Sequence, residues 1–206
     1  MSRKLPPSFY LRPTLQIARE LLGKLIVRKY YGKRLVGRIV EVEAYRGSID
    51  PASHAYRGRT KRNEVMFWKG GHLYVYFTYG MHFCANVVTQ KEGTAEAILI
   101  RAVEPVRGIE TMRRLRGKKI PDENLTDGPA KFCQAFGIER KDNGESLLGT
   151  TIWLAGTSHI PDYRIGVSPR IGIRVGTSKL WRFFVKDSRS VSRKKIRQRT
   201  SPLRRR

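Results

Sequence analysis

The sequence predicts an α+β fold: a single domain in which a curved, mostly antiparallel β-sheet is flanked by short helices and carries a protruding β-hairpin. Three observations lead there. Runs of alternating apolar and polar residues recur between residues 24 and 103, several of them joined by tight turns. Three stretches repeat apolar residues at helical spacing, and each is followed by a glycine (Gly23, Gly117, Gly137). With 206 residues, 40% of them hydrophobic and 10% aromatic, the chain can bury one sizeable core, which excludes a disordered basic protein.

The elements follow in order. After Pro13, residues 14–22 form a short amphipathic helix that Gly23 stops. Two β-like runs, 24–30 and 34–45, meet at Tyr31-Gly32-Lys33, which reads as a hairpin turn. Residues 46–62 are polar and aperiodic, a loop of a length that commonly carries function. Strands at 72–79 and 83–90 flank the turn Tyr79-Gly80-Met81-His82. A third, 95–103, follows Lys91-Glu92-Gly93-Thr94 and completes an antiparallel meander. Helices fit 105–116 and 129–136, the second with Asp127 or Thr126 as its cap. Short strands are expected at 151–154, 171–175 and 181–185. No repeat and no internal linker divides residues 10–188, so the expected organisation is one domain over 1–188 and a basic, disordered tail over 189–206.

Charge narrows the function. Lys and Arg number 42 against 17 Asp and Glu, a formal +25. Nine of the cations lie in 189–206, leaving 33 basic against 17 acidic residues, +16, on the body. Such a domain attracts a polyanion, either nucleic acid or an anionic membrane surface. No apolar run approaches the roughly 18–20 residues of a membrane span, and residues 1–10 hold no signal-peptide segment. Cys84 and Cys133, both in apolar stretches, read as buried reduced thiols. The expected setting is intracellular: cytoplasm or nucleoid in a bacterium, nucleus in a eukaryote. The four histidines (His54, His72, His82, His159) lack ligand spacing, so no metal is expected. Without a glycine-rich phosphate loop or a Gly-x-Ser-x-Gly elbow, nucleoside triphosphate and serine-hydrolase chemistries are disfavoured, and no cofactor is implied.

Strand alternation puts Val36, Arg38, Val40, Val42 and Ala44 on one face of 34–45, and Leu35, Ile39, Glu41, Glu43 and Tyr45 on the other. Two readings of the second face stand. It is solvated, with its glutamates paired to arginines, or it brings a carboxylate to a cleft rim beside an aromatic platform, where Glu43 holds or activates a water and Tyr45 stacks on a flat ligand. His54 lies in a polar loop, as a surface residue or a ligand contact. In 72–79, Tyr74, Tyr76 and Thr78 share one face, and Leu73, Val75, Phe77 and Tyr79 the other; Tyr74 and Phe77 read as packing residues. Tyr79 abuts the turn, where an aromatic on a protruding hairpin can wedge into a base stack. Asn86, in an otherwise apolar strand, is either a satisfied structural amide or a ligand-reading one.

These pieces have a recognisable order: Glu43-Ala44-Tyr45, His54 eleven residues after Glu43, Arg62-Asn63 before Met66-Phe67, and Leu73-Tyr74-Val75-Tyr76-Phe77-Thr78-Tyr79-Gly80-Met81. Asn86, residues 98–105 (Ile-Leu-Ile-Arg-Ala-Val-Glu-Pro), Gly128-Pro129-Ala130-Lys131 and, more weakly, Arg170-Ile171-Gly172-Ile173 follow. The set closely resembles the alkyladenine (3-methyladenine) DNA glycosylase family over roughly residues 10–186. The resemblance implies a monofunctional glycosylase of base-excision repair, acting as a monomer on duplex DNA. It would flip alkylated or deaminated purines such as 3-methyladenine and hypoxanthine out of the helix and hydrolyse the N-glycosidic bond, leaving an abasic site.

By the same resemblance Glu43 is the general base and Arg101 helps hold the attacking water. Tyr45, His54 and Tyr76 wall the base pocket, Tyr79 fills the gap left by the flipped base, and Asn86 disfavours guanine. Two features depart from the family pattern: His82 stands where an apolar residue is expected beside the wedge, and the arginine-rich tail has no counterpart. A rival from another class is a non-catalytic RNA- or DNA-binding module whose tyrosines only stack on bases.

Overall fold

A computed structural model of the chain describes residues 3–78, 80–117 and 119–192. In chain order the elements are α1 (Thr14–Leu21), β1 (Leu25–Tyr30), β2 (Lys33–Arg46), β3 (Leu73–Thr78), β4 (His82–Thr89), β5 (Glu96–Arg107), α2 (Ile109–Arg116), α3 (Pro129–Phe136), β6 (Ile152–Ala155), β7 (Ile165–Ser168) and β8 (Arg182–Val185), with short 3-10 turns between them. Among the described residues the strands form one antiparallel sheet in the order β3-β4-β5-β2-β1-β6. The fourteen-residue β2 lies along β5 on one side, while its other side is shared: β1 pairs with residues 33–38, and β8, backed by β7, pairs with 41–43.

One face of the sheet is covered by helices. Ile17 and Leu21 of α1, Met112 of α2, and Phe132 and Phe136 of α3 bury against Leu35, Ile39, Val42, Ile98 and Ile100. The two phenylalanine rings lie 4.9 Å apart. Removal of such apolar area from water is the main favourable contribution to folding.

The face assignment along β2 differs from simple alternation. Leu35 and Ile39 point into this core, and so do Val40, Val42 and Ala44, whereas Val36 belongs to a cluster on the opposite face with Val27, Trp153 and Ala155. The register explains it. Ile39 pairs with Val103 and Glu41 with Ala102, so Val40 is an extra residue on β2; Val42 pairs with Ile100, so Arg101 is an extra residue on β5. Two facing bulges reverse the alternation and turn Glu41, Glu43 and Tyr45 to the face opposite the helices. Leu35 and Ile39 do not share that face, contrary to the expectation.

Three other expectations change. The strand expected to end at 103 runs to Arg107, so α2 begins at Ile109 rather than 105. Gly108 makes the corner at φ +80°, where a Cβ would stand 2.7 Å from the Arg34 carbonyl oxygen. Neither Asp127 nor Thr126 caps α3, which starts after Gly128 without a side-chain cap. Asp127 instead meets Lys131 at 2.7 Å, and Thr126 donates to the Val103 carbonyl. Residues 171–175 form no strand: Gly172 among them takes φ +78°, off the extended conformation, and the strand that pairs with β8 is β7. Cys84 and Cys133 are free and buried.

Residues 189–192, where the tail was expected to begin, pack on the domain with Ser190 and Ser192 buried; residues 193–206 lie outside the described residues.

Candidate active site

The bulged stretch of β2 and β5 concentrates charge where the sheet would otherwise be apolar. Glu41 and Glu43 are both fully buried, and Arg101 is nearly so. Arg101 Nε donates to Glu41 Oε1 at 2.8 Å, and its Nη1 stands 3.2 Å from Glu43 Oε1. The reading of a solvated face does not hold for these glutamates, although the arginine partners it expected are present. Burial opposes the charge on Arg101, but Glu43 and then Glu41 outweigh it, so the guanidinium is held more firmly protonated than in water.

Glu43 has two further partners. Its Oε1 accepts the Ile171 backbone N–H at 2.7 Å, and its Oε2 accepts the Tyr45 hydroxyl at 2.9 Å. Burial, followed by the Glu43 charge, pushes the Tyr45 hydroxyl well above its ordinary pKa, so it remains a donor. Tyr45, Arg101 and Ile171 in turn line an open cavity of about 580 Å³. The carboxylate thus sits directly behind three pocket-lining residues.

His54, Tyr76, Thr78, Cys84 and Leu99 extend the lining, and Ile171–Val175 forms the facing wall. The His54 and Tyr76 rings meet edge-to-face at 4.5 Å. His54 Nδ1 lies 3.0 Å from the Tyr74 hydroxyl. His54 is exposed at the mouth, yet packing of its ring between these tyrosines, and then the charge of Arg62, lower its pKa, keeping it neutral near pH 7. Burial pushes the Tyr74 hydroxyl up to about 12 and Tyr76 higher still.

A smaller recess shares Tyr45, Ala52, His54 and Tyr76 and adds Met66, Tyr74 and Asn86. Asn86 is buried and donates to the Tyr74 carbonyl at 3.1 Å. Of the expected site residues, then, Tyr45, His54, Tyr76 and Arg101 line one cavity, Glu43 lies behind it and Asn86 in the adjoining recess. Tyr79 lies outside the described residues. His82 is exposed, opposite Thr78 at the hairpin end.

Several supporting residues were not legible beforehand. Tyr74, read as packing alone, also orients His54. Phe77 does pack across strands, on Phe83 at 5.2 Å, while remaining partly exposed. Asn63, noted only as part of a motif, ties the loop by donating to the carbonyls of His54 (2.8 Å) and Gly58 (2.9 Å).

Arg170 is the least foreseeable. Its guanidinium lies 4.5 Å from the Tyr45 ring centroid and 5.2 Å from that of Trp181, and it donates to Asp50 Oδ1 at 2.7 Å and to the Ala44 carbonyl at 2.9 Å. Burial by itself would raise the Asp50 carboxyl, but the hydrogen bonds and charge of Arg170 hold it below the ordinary range. This buried pair presents the next residue's N–H to Glu43. The Arg-Ile-Gly-Ile fragment was the available signal, but its partner Asp50 is 120 positions away.

Residues 8–189 match the family described as methylpurine-DNA glycosylase. Among similar curated proteins, one from Carboxydothermus hydrogenoformans is 50% identical over 191 residues, covering 92% of this chain and 99% of that protein. One from Chlorobaculum tepidum is 47% identical over 192 residues (93% and 91%), and one from Alkaliphilus oremlandii 45% identical over 202 (93% and 100%). All three bear the name "Putative 3-methyladenine DNA glycosylase". The resemblance expected from the motifs is thereby met over nearly the whole length, and the chain belongs to the methylpurine-DNA glycosylase family.

Proposed function

We propose that this family member excises damaged purines, 3-methyladenine and hypoxanthine among them, from duplex DNA by hydrolysing the N-glycosidic bond, with Glu43 as general base. DNA glycosylases are base-excision repair enzymes, and the family supplies the reaction class. One observation supports the assignment of the base: a fully buried carboxylate behind an aromatic-walled cavity, contacted by the donors Tyr45, Arg101 and Ile171 N–H.

A purine inside a duplex is out of reach, so it must be extruded at a cost of a few kcal/mol. Stacking on aromatic side chains returns about 1–3 kcal/mol per base, and Tyr45 and Tyr76 supply such rings. A cationic alkylated purine gains further from the electron-rich ring faces. Cleavage develops positive charge at C1′, which a carboxylate stabilises. The water oxygen bonds C1′ as the C1′–N bond breaks, the electrons of that bond leave with the purine, and Glu43 takes the proton from the water. Hypoxanthine, being uncharged, also needs a proton delivered to the leaving base. In this reading Arg101 helps orient the water, Asn86 excludes guanine, Tyr79 occupies the vacated position in the stack, and the enzyme acts as a monomer.

The setting follows from the substrate. These three relatives are bacterial, and among the described residues no helix is long and apolar enough to cross a membrane. The enzyme would work on chromosomal DNA.

The decisive variant is Glu43→Gln, assayed with excess protein on duplexes carrying 3-methyladenine or hypoxanthine. Base release should fall by at least about 100-fold, the usual contribution of a general base, while DNA binding is retained or tightened. Release at the normal rate would remove Glu43 from the mechanism. Absence of release from any damaged duplex by the unmodified protein would favour a binding module instead.

A further inference from the structure

Every nitrogen of the Arg101 guanidinium has a partner, and only one of those partners is Glu43. Nε donates to Glu41 Oε1 at 2.8 Å, Nη2 donates to Ser192 Oγ at 3.2 Å, and Nη1 reaches Glu43 Oε1 at 3.2 Å. A planar fork gripped at two corners has no freedom left in the direction of the third. Glu41 is itself secured. Arg182 Nε and the Ser192 hydroxyl each donate to its Oε1 at 2.7 Å, and the Ser192 backbone N–H donates to Oε2 at 2.6 Å.

We propose that Glu41 and Ser192 are positioning residues that fix the Arg101 guanidinium and, through it, the Glu43 carboxylate. The inference rests on the reading of Glu43 as the base. Stability alone gives little reason for the arrangement, because well-packed apolar residues often match or exceed a buried ion pair in stability. Burying two carboxylates and two guanidiniums does, however, hold an active-site group in one orientation, and a misplacement of about 1 Å can cost on the order of 100-fold in rate. Ser192 reaches this support from 149 positions after Glu43.

The charged or titratable groups around Glu43 are Glu41 and Tyr45 on β2, Cys84 on β4, Arg101 on β5, Arg182 on β8, and Arg170 behind the Tyr45 ring. Glu41→Gln removes one negative charge from this set. Arg101 then keeps Glu43 as its one charged partner, and the grip on its Nε is weakened. The single-turnover rate at saturating DNA should fall about tenfold, within the range for a displaced active-site group. Ser192→Ala loosens Arg101 Nη2, so the rate should fall about threefold, and Ser192→Thr, which keeps the hydroxyl, should restore it.

The experiment measures release of 3-methyladenine or hypoxanthine by the full-length chain, binding to an abasic-site duplex, and urea unfolding for each variant. Slowed release with unchanged duplex binding, and rescue by Ser192→Thr, would support the proposal. Should Glu41→Gln fail to fold, the Ser192 pair decides. Normal rates in Glu41→Gln and Ser192→Ala, while Glu43→Gln is inactive, would overturn it, as would losses that merely follow stability. Activity in Glu43→Gln would strike the parent reading instead.

Discussion

The Tyr45 hydroxyl donates to Glu43 Oε2 at 2.9 Å across two positions of one strand face, so the ring that would stack on the extruded base is joined to the carboxylate that would activate water. The Arg170 guanidinium lies 4.5 Å from the centroid of that ring. The ring proposed to recognise the base and the carboxylate proposed to activate water are therefore held together.

Tyr45→Phe separates the two. The ring remains, so affinity for a damaged duplex should be unchanged, but the donor is gone. A hydrogen bond to a charged group contributes about 1.5–3 kcal/mol. Losing it releases one oxygen of the Glu43 carboxylate, so base release should slow about tenfold. Single-turnover rates at saturating enzyme read the loss directly. An unchanged rate would argue against this contact in the working enzyme.

Tyr74→Phe tests how His54 is held. The hydroxyl is buried and meets Nδ1 at 3.0 Å. Its removal should lower unfolding stability by about 1 kcal/mol, the net value of one such bond, read as a drop in the urea midpoint. Affinity for the damaged duplex should weaken several-fold while the rate at saturating enzyme changes less.

Asp50→Asn leaves the fully buried Arg170 without its carboxylate. Breaking a buried pair from one side costs about 3–5 kcal/mol, measurable by urea unfolding near neutral pH. The pH dependence has a definite sign. The Asp50 carboxyl is held below its ordinary value, so its contribution is complete above the unfolded-state value of about 3.9 and is lost as pH falls through the lower folded value. The variant should lack that part of the acid destabilisation. Because Arg170 supports the wall that bonds Glu43, base release should slow as well.

Two truncations separate charge from structure. Removing residues 193–206 takes away eight cations and leaves Ser192 in place. DNA affinity should then depend less steeply on salt, by about 0.9 in log–log slope for each phosphate that is no longer neutralised, with base release intact at saturating DNA. Removing 189–206 also takes Ser190 and Ser192 out of the packed body and should reduce both thermal stability and release. Equal behaviour of the two truncated proteins would mean that residues 189–192 serve neither.

Local patterning determined much of this protein. Period-two runs placed the hairpin and meander, and glycines after apolar periodic stretches ended the helices where α1, α2 and α3 end, because turn and cap geometry depend on nearest neighbours. The order and spacing of the motifs, from Glu43-Ala44-Tyr45 and His54 through residues 73–81, Asn86 and 98–105 to 128–131, indicated the family. Two kinds of information were beyond the sequence's reach. One is register: the facing bulges at Val40 and Arg101 reverse the alternation of β2, and a single unpaired residue leaves no trace in composition. The other is long-range pairing. Asp50 with Arg170, Ile171 with Glu43, and Ser192 with Glu41 join positions 120, 128 and 151 apart, and such partners are chosen by chain closure in space. Strand spacing could bring a carboxylate, a tyrosine and an arginine to the same sheet, but only tertiary packing determined which arginine meets which carboxylate, since burial makes each charge depend on the particular partner that desolvates with it.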